Sequence, residues 1–380
     1  MDQDRQSKLG RRVDLVRNAL HGRQAMTTAR RVFLFLLSLP MVCALVASAT
    51  DRAMAESPHD PVWNVDKTLI GKDKDKNGGK STDASGIACI ESKGFPRKCL
   101  VIDDELQAAQ IVIVEEGQLL AGDTIRLIDD TFDGKPIEFD GEGVAYADGA
   151  FLIVGSHGHP RDKKNKLDPT KDAAKIEASI RASSRIIQVR IDPDQISPKG
   201  KLKGEAQVRA FTGLPAILAA EPRLAPFLNR RLDQNGLTIE GIAALGDRLF
   251  VGLRGPSLGG DRAAIVSMPV KDVLENRIPK ARLHLVPLGP GRGVRDLAAS
   301  PSGLLVLAGP TAEGEGSSSI YRVKDEEAEL LGEVPPLIED GEVAKPEALL
   351  FLDQNEDGQR VLVLSDGAIE GAPRPLRIRR

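Results

Sequence analysis

A short pattern recurs along the chain: an acidic residue, a short apolar run, a turn and a second apolar run. It begins at Glu142, Glu240, Asp296 and Glu347, and a fifth copy opens at Ser85, where serine replaces the acid. A sheet made of such short strands cannot bury both of its faces alone, so several copies must stack against one another. The repeat therefore predicts a chain built from stacked β-sheets.

The spacing of the copies indicates the architecture. Successive acids are 98, 56 and 51 residues apart, and 57 residues separate Gly86 from Gly143. Units of this length, each with a few short strands, are typical of propeller blades. We therefore expect an all-β fold, a β-propeller of five to seven blades, with six favoured because the longest step leaves room for a diverged unit. A β-sandwich or two unrelated β domains is the alternative.

The first part of the chain predicts export. Arg30 and Arg31 precede an apolar run at 32–47, and two small-x-small cleavage candidates follow. This arrangement is typical of a signal peptide, with translation starting at Met1 or at Met26. We expect a leader and signal peptide over 1–55, a flexible N-terminal segment over 56–84 and a single propeller domain over 85–380. The protein would then be periplasmic or secreted; the alternative is anchoring by an uncleaved N-terminal helix.

The charge and the low aromatic content of the chain exclude some classes of binding partner. Residues 56–380 carry 43 Lys and Arg against 51 Asp and Glu, a formal charge of −8, and the whole chain has one Trp and two Tyr. An acidic surface repels nucleic acid and anionic lipid, and few rings are present for bases to stack on. We expect a monomer that binds a small molecule or a protein on one propeller face, with no nucleic acid and no membrane span after signal cleavage.

Two cysteines remain after the predicted cleavage. Cys89 and Cys99 lie in two apolar stretches joined by a turn that contains Gly94 and Pro96. A hairpin would place the two thiols opposite each other, and export permits a disulfide. Two buried free thiols are the alternative.

Several motifs also resemble a known family. They are Ile-Glu-Gly-Ile-Ala at 239–243, Leu-Phe-Val-Gly-Leu-Arg-Gly-Pro at 249–256 and Val-Arg-Asp-Leu-Ala at 294–298. In this order they resemble the bacterial domain-of-unknown-function family 3616. The repeated Glu-Gly-hydrophobic-Ala is more distantly similar to phytase-like esterase and lactonase-type propellers. The resemblance implies a β-propeller and no particular reaction, and the Lys-rich stretch at 163–184 departs from it.

The acids of the repeat are candidate metal ligands. Equivalent positions of propeller blades lie at equal radii, so Glu142, Glu240, Asp296 and Glu347 would converge near the axis. Carboxylates this close stay ionised only if a cation or arginines balance them, and calcium, magnesium or manganese accepts such oxygen ligands. The alternative is structural, with each acid accepting hydrogen bonds from backbone N–H groups between blades.

Three further side chains are candidate catalytic residues. His157 and Arg254 lie where the second apolar runs of the repeat end, and Arg295 directly precedes Asp296. His157 could act as a base, and Arg254 and Arg295 could hold an anionic substrate. Two functions follow. The first is an exported binding module for a ligand or partner, and the second is a metal-assisted hydrolase of a small ester, lactone or phosphoester. Fold alone does not decide between them.

Overall fold

The computed structural model describes residues 61–72, 79–160, 167–312 and 316–379. The predicted leader and signal peptide at 1–55 lie outside the described residues. Within the described part of the chain, the strands form five twisted sheets arranged as the blades of a propeller, together with one two-stranded hairpin.

Blades 1 and 2 come from the first half of the chain. Blade 1 has the spatial order β1-β5-β4-β3-β2 and blade 2 the order β11-β10-β9-β8. The strands of blade 1 are β1 (Asn64–Asp66), β2 (Ala84–Cys89), β3 (Arg97–Asp103), β4 (Ala108–Glu115) and β5 (Gln118–Arg126). A hairpin of β6 (Thr131–Phe132) and β7 (Lys135–Pro136) leads to blade 2, whose strands are β8 (Gly141–Ala147), β9 (Ala150–Gly155), β10 (Ile186–Arg190) and β11 (Gln207–Phe211).

Blades 3 to 5 follow in order, each with four strands. Blade 3 contains β12 (Thr238–Leu245), β13 (Arg248–Gly255), β14 (Arg262–Pro269) and β15 (Arg282–Pro287). Blade 4 contains β16 (Arg292–Ser300), β17 (Gly303–Pro310), β18 (Ser318–Lys324) and β19 (Glu327–Val334). Blade 5 contains β20 (Leu337–Glu339), β21 (Glu342–Asn355), β22 (Gly358–Asp366) and β23 (Arg374–Ile378). The described helices are α1 (Ala173–Ser183), α2 (Leu214–Ala220) and α3 (Val270–Leu274).

The inner strands β2, β8, β12, β16 and β21 contact one another in a closed ring around the axis. Glycines allow this close approach. A Cβ on Gly86 would lie 2.7 Å from the Cα of Gly143, and one on Gly241 would lie 2.8 Å from the Cα of Asp296. Because the backbones touch, the side chains that begin these strands are brought close together.

Apolar side chains of β-strands fill the spaces between blades. Val154 of blade 2 and Val251 of blade 3 share one buried cluster, while Val112 of blade 1 and Leu362 of blade 5 share another. The second cluster closes the ring. Trp63 belongs to it, and its backbone N–H donates to the carbonyl of Pro373 at 2.7 Å.

The propeller class and the predicted range of five to seven blades are confirmed, but the favoured number of six is one too many. The long step between Glu142 and Glu240 holds the helices α1 and α2 and their loops instead of a sixth sheet. Part of the segment predicted to be flexible is a regular strand, because β1 pairs in parallel with β5 at the outer edge of blade 1.

The predicted disulfide is confirmed. Cys89 of β2 and Cys99 of β3 are direct cross-strand partners, and their sulfur atoms are bonded. The hairpin that joins these strands carries the glycine and proline expected of a turn.

Among the described helices, none combines the length and the hydrophobicity needed to cross a lipid bilayer.

Candidate functional site at the acidic end of the axis

We call the end of the axis at which the inner strands begin the acidic end. Three of the four predicted acids meet there: carboxylate oxygens of Glu142, Glu240 and Glu347 lie within 4.8 Å of one another. Each residue is 2% exposed. The convergence follows from the repeat, since each glutamate occupies the same position on its inner strand.

Two arginines lie against this trio of glutamates. Arg254 donates to Oε1 of Glu240 at 3.1 Å, and a guanidinium nitrogen of Arg295 lies 3.6 Å from the other oxygen of Glu240 and also contacts Glu347. Arg254 further donates to the carbonyls of Thr311 and Ala312, each at 3.2 Å. Both guanidinium groups are buried. Two buried positive charges therefore offset most of the negative charge of the trio.

The fourth predicted acid does not share the position of the three glutamates, because the bulged residue of its inner strand is Arg295 and Asp296 lies one residue later. Asp296 accepts hydrogen bonds from the backbone N–H groups of Leu297 and Leu349, both at 2.7 Å. Complete burial raises the pKa of its carboxyl well above the usual value, although these two hydrogen bonds act in the opposite direction. Asp296 thus links blades 4 and 5 through the backbone, which is the structural role weighed for the repeat acids.

His157 follows the end of β9 with a left-handed φ of 54°. Its Nδ1 lies 2.8 Å from the carbonyl of Gly155, so the neutral ring carries its proton on that nitrogen. Burial lowers the pKa of the imidazole to about 4. Among the described residues, no hydrogen-bond partner reaches its Nε2. The ring is therefore a neutral histidine at physiological pH, separate from the trio of glutamates.

An open cavity of about 840 Å³ lies beside this cluster, over blades 1 and 2. We call it the acidic pocket. Its described lining includes the β6–β7 hairpin and one face of α1, together with residues next to the ends of inner and second strands. Eight acidic residues and two lysines line it: Asp83, Asp104, Glu105, Asp133, Glu138, Asp140, Asp172, Asp366, Lys135 and Lys175.

The acidic pocket connects to the axial glutamates through a second group of carboxylates. Oxygens of Asp104, Asp140 and Glu142 lie within 4.8 Å of one another, and the hydroxyl of Ser156 donates to Asp140. Glu142 belongs to both groups. Hard divalent cations prefer oxygen ligands of this type, so the residues present fit calcium, magnesium or manganese.

Sequence reasoning missed Asp104 and Asp140. The available signal was positional, since Asp140 precedes the repeat acid Glu142 by two residues and Asp104 directly follows the second strand of its blade. A further residue, Lys72, lies at the rim, where it contacts Glu138 and lies 3.9 Å from Glu105. One lysine therefore offsets a small part of the negative charge at the entrance.

Comparisons with solved structures find matches at low sequence identity. A Bacteroides ovatus xyloglucan PUL GH43B has 11% identity and a TM-score of 0.40, over 84% of this chain and 53% of that one. The Pseudomonas aeruginosa periplasmic gluconolactonase PpgL has 15% identity and a TM-score of 0.32, over 78% and 71%. A GH43 endo-arabinanase from Bacillus licheniformis has 8% identity and a TM-score of 0.35, over 78% and 92%.

No curated protein matches the sequence. The family described as "Protein of unknown function (DUF3616)" matches residues 97–373. The match covers well over half of the chain, including most of blade 1 and all of blades 2 to 4, so the chain belongs to this family.

Proposed function

We propose that the protein is an extracytoplasmic binding module that takes a positively charged ligand in the acidic pocket. One observation carries the proposal: the described lining has eight acidic residues against two lysines around a cavity of about 840 Å³. Ligand pockets in proteins fall in this size range. The disulfide between Cys89 and Cys99 supports an oxidising compartment.

The shape of the acidic pocket strengthens its electrostatic effect. A concave site lined by one sign of charge focuses the field and raises the local concentration of the opposite charge. Asp104, Asp140 and Glu142 form the closest group of carboxylates and join the acidic pocket to the axis. We therefore expect this group to anchor the ligand, with the more exposed acids contributing at longer range.

Thermal melting of residues 56–380 tests the proposal, with calcium, magnesium, manganese and spermidine as separate probes. At 100 times its dissociation constant, a ligand should raise the free energy of unfolding by about 2.7 kcal/mol. Asp140→Asn should lose most of this stabilisation. Asp325→Asn is the matched control, because both aspartates have a left-handed φ that asparagine tolerates and Asp325 lies on the surface of blade 4.

A rise in melting temperature with at least one probe, absent in Asp140→Asn and kept in Asp325→Asn, would support the proposal. Failure of all four probes to stabilise the wild-type protein would overturn it. An equal rise in both variants would place the cation elsewhere.

Metal-assisted hydrolysis is the second candidate function, and the position of Asp104, Asp140 and Glu142 beside an open pocket favours it. A divalent cation bound there would polarise a carbonyl oxygen and acidify bound water. The surplus of carboxylates repels anionic substrates, so neutral esters and lactones fit this site better than phosphoesters. Manganese-dependent cleavage of 4-nitrophenyl acetate or dihydrocoumarin, lost in Asp140→Asn, would support this function. Metal binding without turnover of either substrate would count against it.

A further inference from the structure

The other end of the axis is different in character. We call it the apolar end; it is where the inner strands finish, and it holds a cavity of about 470 Å³. All five inner strands line this apolar pocket, and Ile87, Ala145, Ala243, Ala299 and Leu350 contribute to it. Four inner strands carry alanine three residues after the bulge, at Ala88, Ala145, Ala243 and Ala298, and these small side chains leave the space open. No residue of this pocket lines the acidic pocket.

Four of the described charged residues line the apolar pocket: Glu91, Arg97 and Asp353 are engaged within the protein, and Lys93 is exposed to solvent. The buried guanidinium of Arg97 donates to the carbonyls of Gly94 and Phe351, at 2.7 and 2.8 Å, and to that of Leu352. Asp353 accepts hydrogen bonds from Arg360 at 3.0 and 3.1 Å. Since three of these charges already have partners and Lys93 is exposed to solvent, the interior of the apolar pocket favours an uncharged molecule.

One polar atom stands out in this lining. The side-chain oxygen of Gln354 is buried, and no hydrogen-bond partner reaches it among the described residues. Gln354 lines the apolar pocket near the end of β21. Buried carbonyl oxygens in native proteins nearly always accept a hydrogen bond. The oxygen is inaccessible to solvent, so the half-buried side chain must rotate to present this unused acceptor to a ligand that brings its own N–H or O–H donor.

We propose that the apolar pocket is a second ligand site, for a compact and uncharged molecule with an apolar body and one hydrogen-bond donor. The apolar body fills the space between the five inner strands, and the donor pairs with the side-chain oxygen of Gln354. A pocket of 470 Å³ is large enough for a molecule of two or three fused or linked rings. This site is independent of the cation-binding function proposed for the acidic end.

The test uses N-phenyl-1-naphthylamine, an uncharged aromatic amine with a single N–H, whose fluorescence rises in apolar surroundings. Wild-type protein should bind it saturably at one site. Ala299→Phe should fill the pocket and weaken binding at least about tenfold, a difference of 1.4 kcal/mol. Ala220→Phe is the matched control, because Ala220 is exposed at the end of α2 and lies outside the pocket. If Ala299→Phe fails to fold by circular dichroism, Ala299→Leu replaces it.

A second pair of measurements isolates the hydrogen bond. Gln354→Leu should weaken binding of N-phenyl-1-naphthylamine about fivefold, the usual worth of one hydrogen bond. It should not weaken binding of 1-phenylnaphthalene, which has similar size and no donor. Equal loss for both probes would remove the role assigned to the Gln354 oxygen.

Other results would overturn the proposal as a whole. These are unchanged probe binding in Ala299→Phe, or an equal loss in Ala220→Phe. A dimer in sedimentation that Ala299→Phe dissociates would assign the apolar pocket to a second copy of the chain. Asp140→Asn should leave probe binding unchanged, so failure here and failure of cation binding at the acidic pocket can be told apart.

Discussion

The two ends of the propeller axis are built from the same five inner strands and differ in almost every chemical respect. At the acidic end, buried Glu142, Glu240 and Glu347 meet next to a pocket lined by carboxylates. At the apolar end, alanine and aliphatic side chains of the same strands surround an apolar pocket. The comparison shows how one repeat can form two different sites. The inner strands place polar and charged residues near their beginnings and apolar residues nearer their ends, so the two ends of the ring differ in chemistry.

The two ends also differ in how their stability is obtained. At the acidic end, charge must be balanced inside the protein, and Arg254 and Arg295 supply the positive groups. At the apolar end, apolar side chains predominate, and Arg97 and Asp353 are held by backbone carbonyls and by Arg360. We therefore expect charge substitutions to be far more damaging at the first end than polar changes are at the second.

The largest effect should come from Arg295→Met. This change leaves Glu240 and Glu347 buried close to each other with less compensation, which should lower the free energy of unfolding by about 3–5 kcal/mol. Urea denaturation measures it. Arg209→Met, at an exposed position of β11, should change stability little. If the double variant Arg295→Met with Glu240→Gln is no more stable than Arg295→Met alone, the assigned charge balance is wrong.

The next effect concerns the apolar end. Cys89→Ser with Cys99→Ser opens a covalent loop with a sequence separation of 10, and should cost about 2–3 kcal/mol through the greater entropy of the unfolded chain. Oxidised wild type and the double variant can be compared by urea denaturation, with reduced wild type as a second reference. Because Cys89 lines the apolar pocket, the same variant should also bind N-phenyl-1-naphthylamine more weakly. An unchanged stability would mean that the disulfide does not constrain the unfolded chain.

Two buried groups in blades 1 and 2 should make the free energy of unfolding depend on pH in opposite directions. Burial raises the pKa of Asp103 to about 7, so its contribution to stability is present in acid and is lost as pH rises through 7. Burial lowers the pKa of His157 to about 4, so its contribution is present above pH 6.5 and is lost as pH falls towards 4.

The slopes of Asp103 and His157 oppose each other between pH 4 and 6.5, and the raised pKa of Asp296 adds a second slope that falls with pH, so the wild-type protein should lose stability as pH rises there. His157→Asn should lose stability more steeply than the wild type over this range, whereas Asp103→Asn should lose it less steeply. Urea denaturation across this range measures both variants. Parallel pH profiles in the two variants would contradict the assignment.

The smallest effect is a stabilisation. Gln354→Leu removes a buried carbonyl oxygen that has no partner among the described residues, and should raise the free energy of unfolding by about 1 kcal/mol. Gln359→Leu is the contrasting variant, because the oxygen of that buried glutamine accepts from Ser302 at 3.3 Å and its amide donates to Arg379. It should be destabilised. Loss of stability in Gln354→Leu would show that its oxygen is satisfied.

Some of the acidic end could be read from the sequence and some could not. The repeat places Glu142, Glu240 and Glu347 at one position, and the structure brings them together as that position requires. In blade 4 the equivalent position, the bulged residue of the inner strand, is Arg295, and Asp296 lies one residue later, where it accepts from backbone N–H groups. The sequence pattern does not specify this one-residue offset, because it depends on how β16 pairs with β17 and on the contact with Leu349 of the next blade, 53 residues away.

The number of blades was also ambiguous from the sequence. Spacing alone could not separate an inserted helical segment from a diverged sheet between Glu142 and Glu240. In the structure this interval holds β9, β10 and β11 of blade 2 together with α1, α2 and loops, and α1 forms one wall of the acidic pocket. The helix that forms a wall of the acidic pocket therefore lies in the part of the chain where the repeat is least regular.

The sequence by itself determined the propeller, the family, the Cys89–Cys99 hairpin and the converging glutamates, because each depends on a periodic or local pattern. Only the tertiary structure decided that arginines balance these glutamates, that Asp104 and Asp140 join Glu142, and that a pocket opens at each end of the axis. The physical reason is distance. Charge balance and cavity volume depend on how far apart groups lie in space, and blades that are far apart in the chain set those distances.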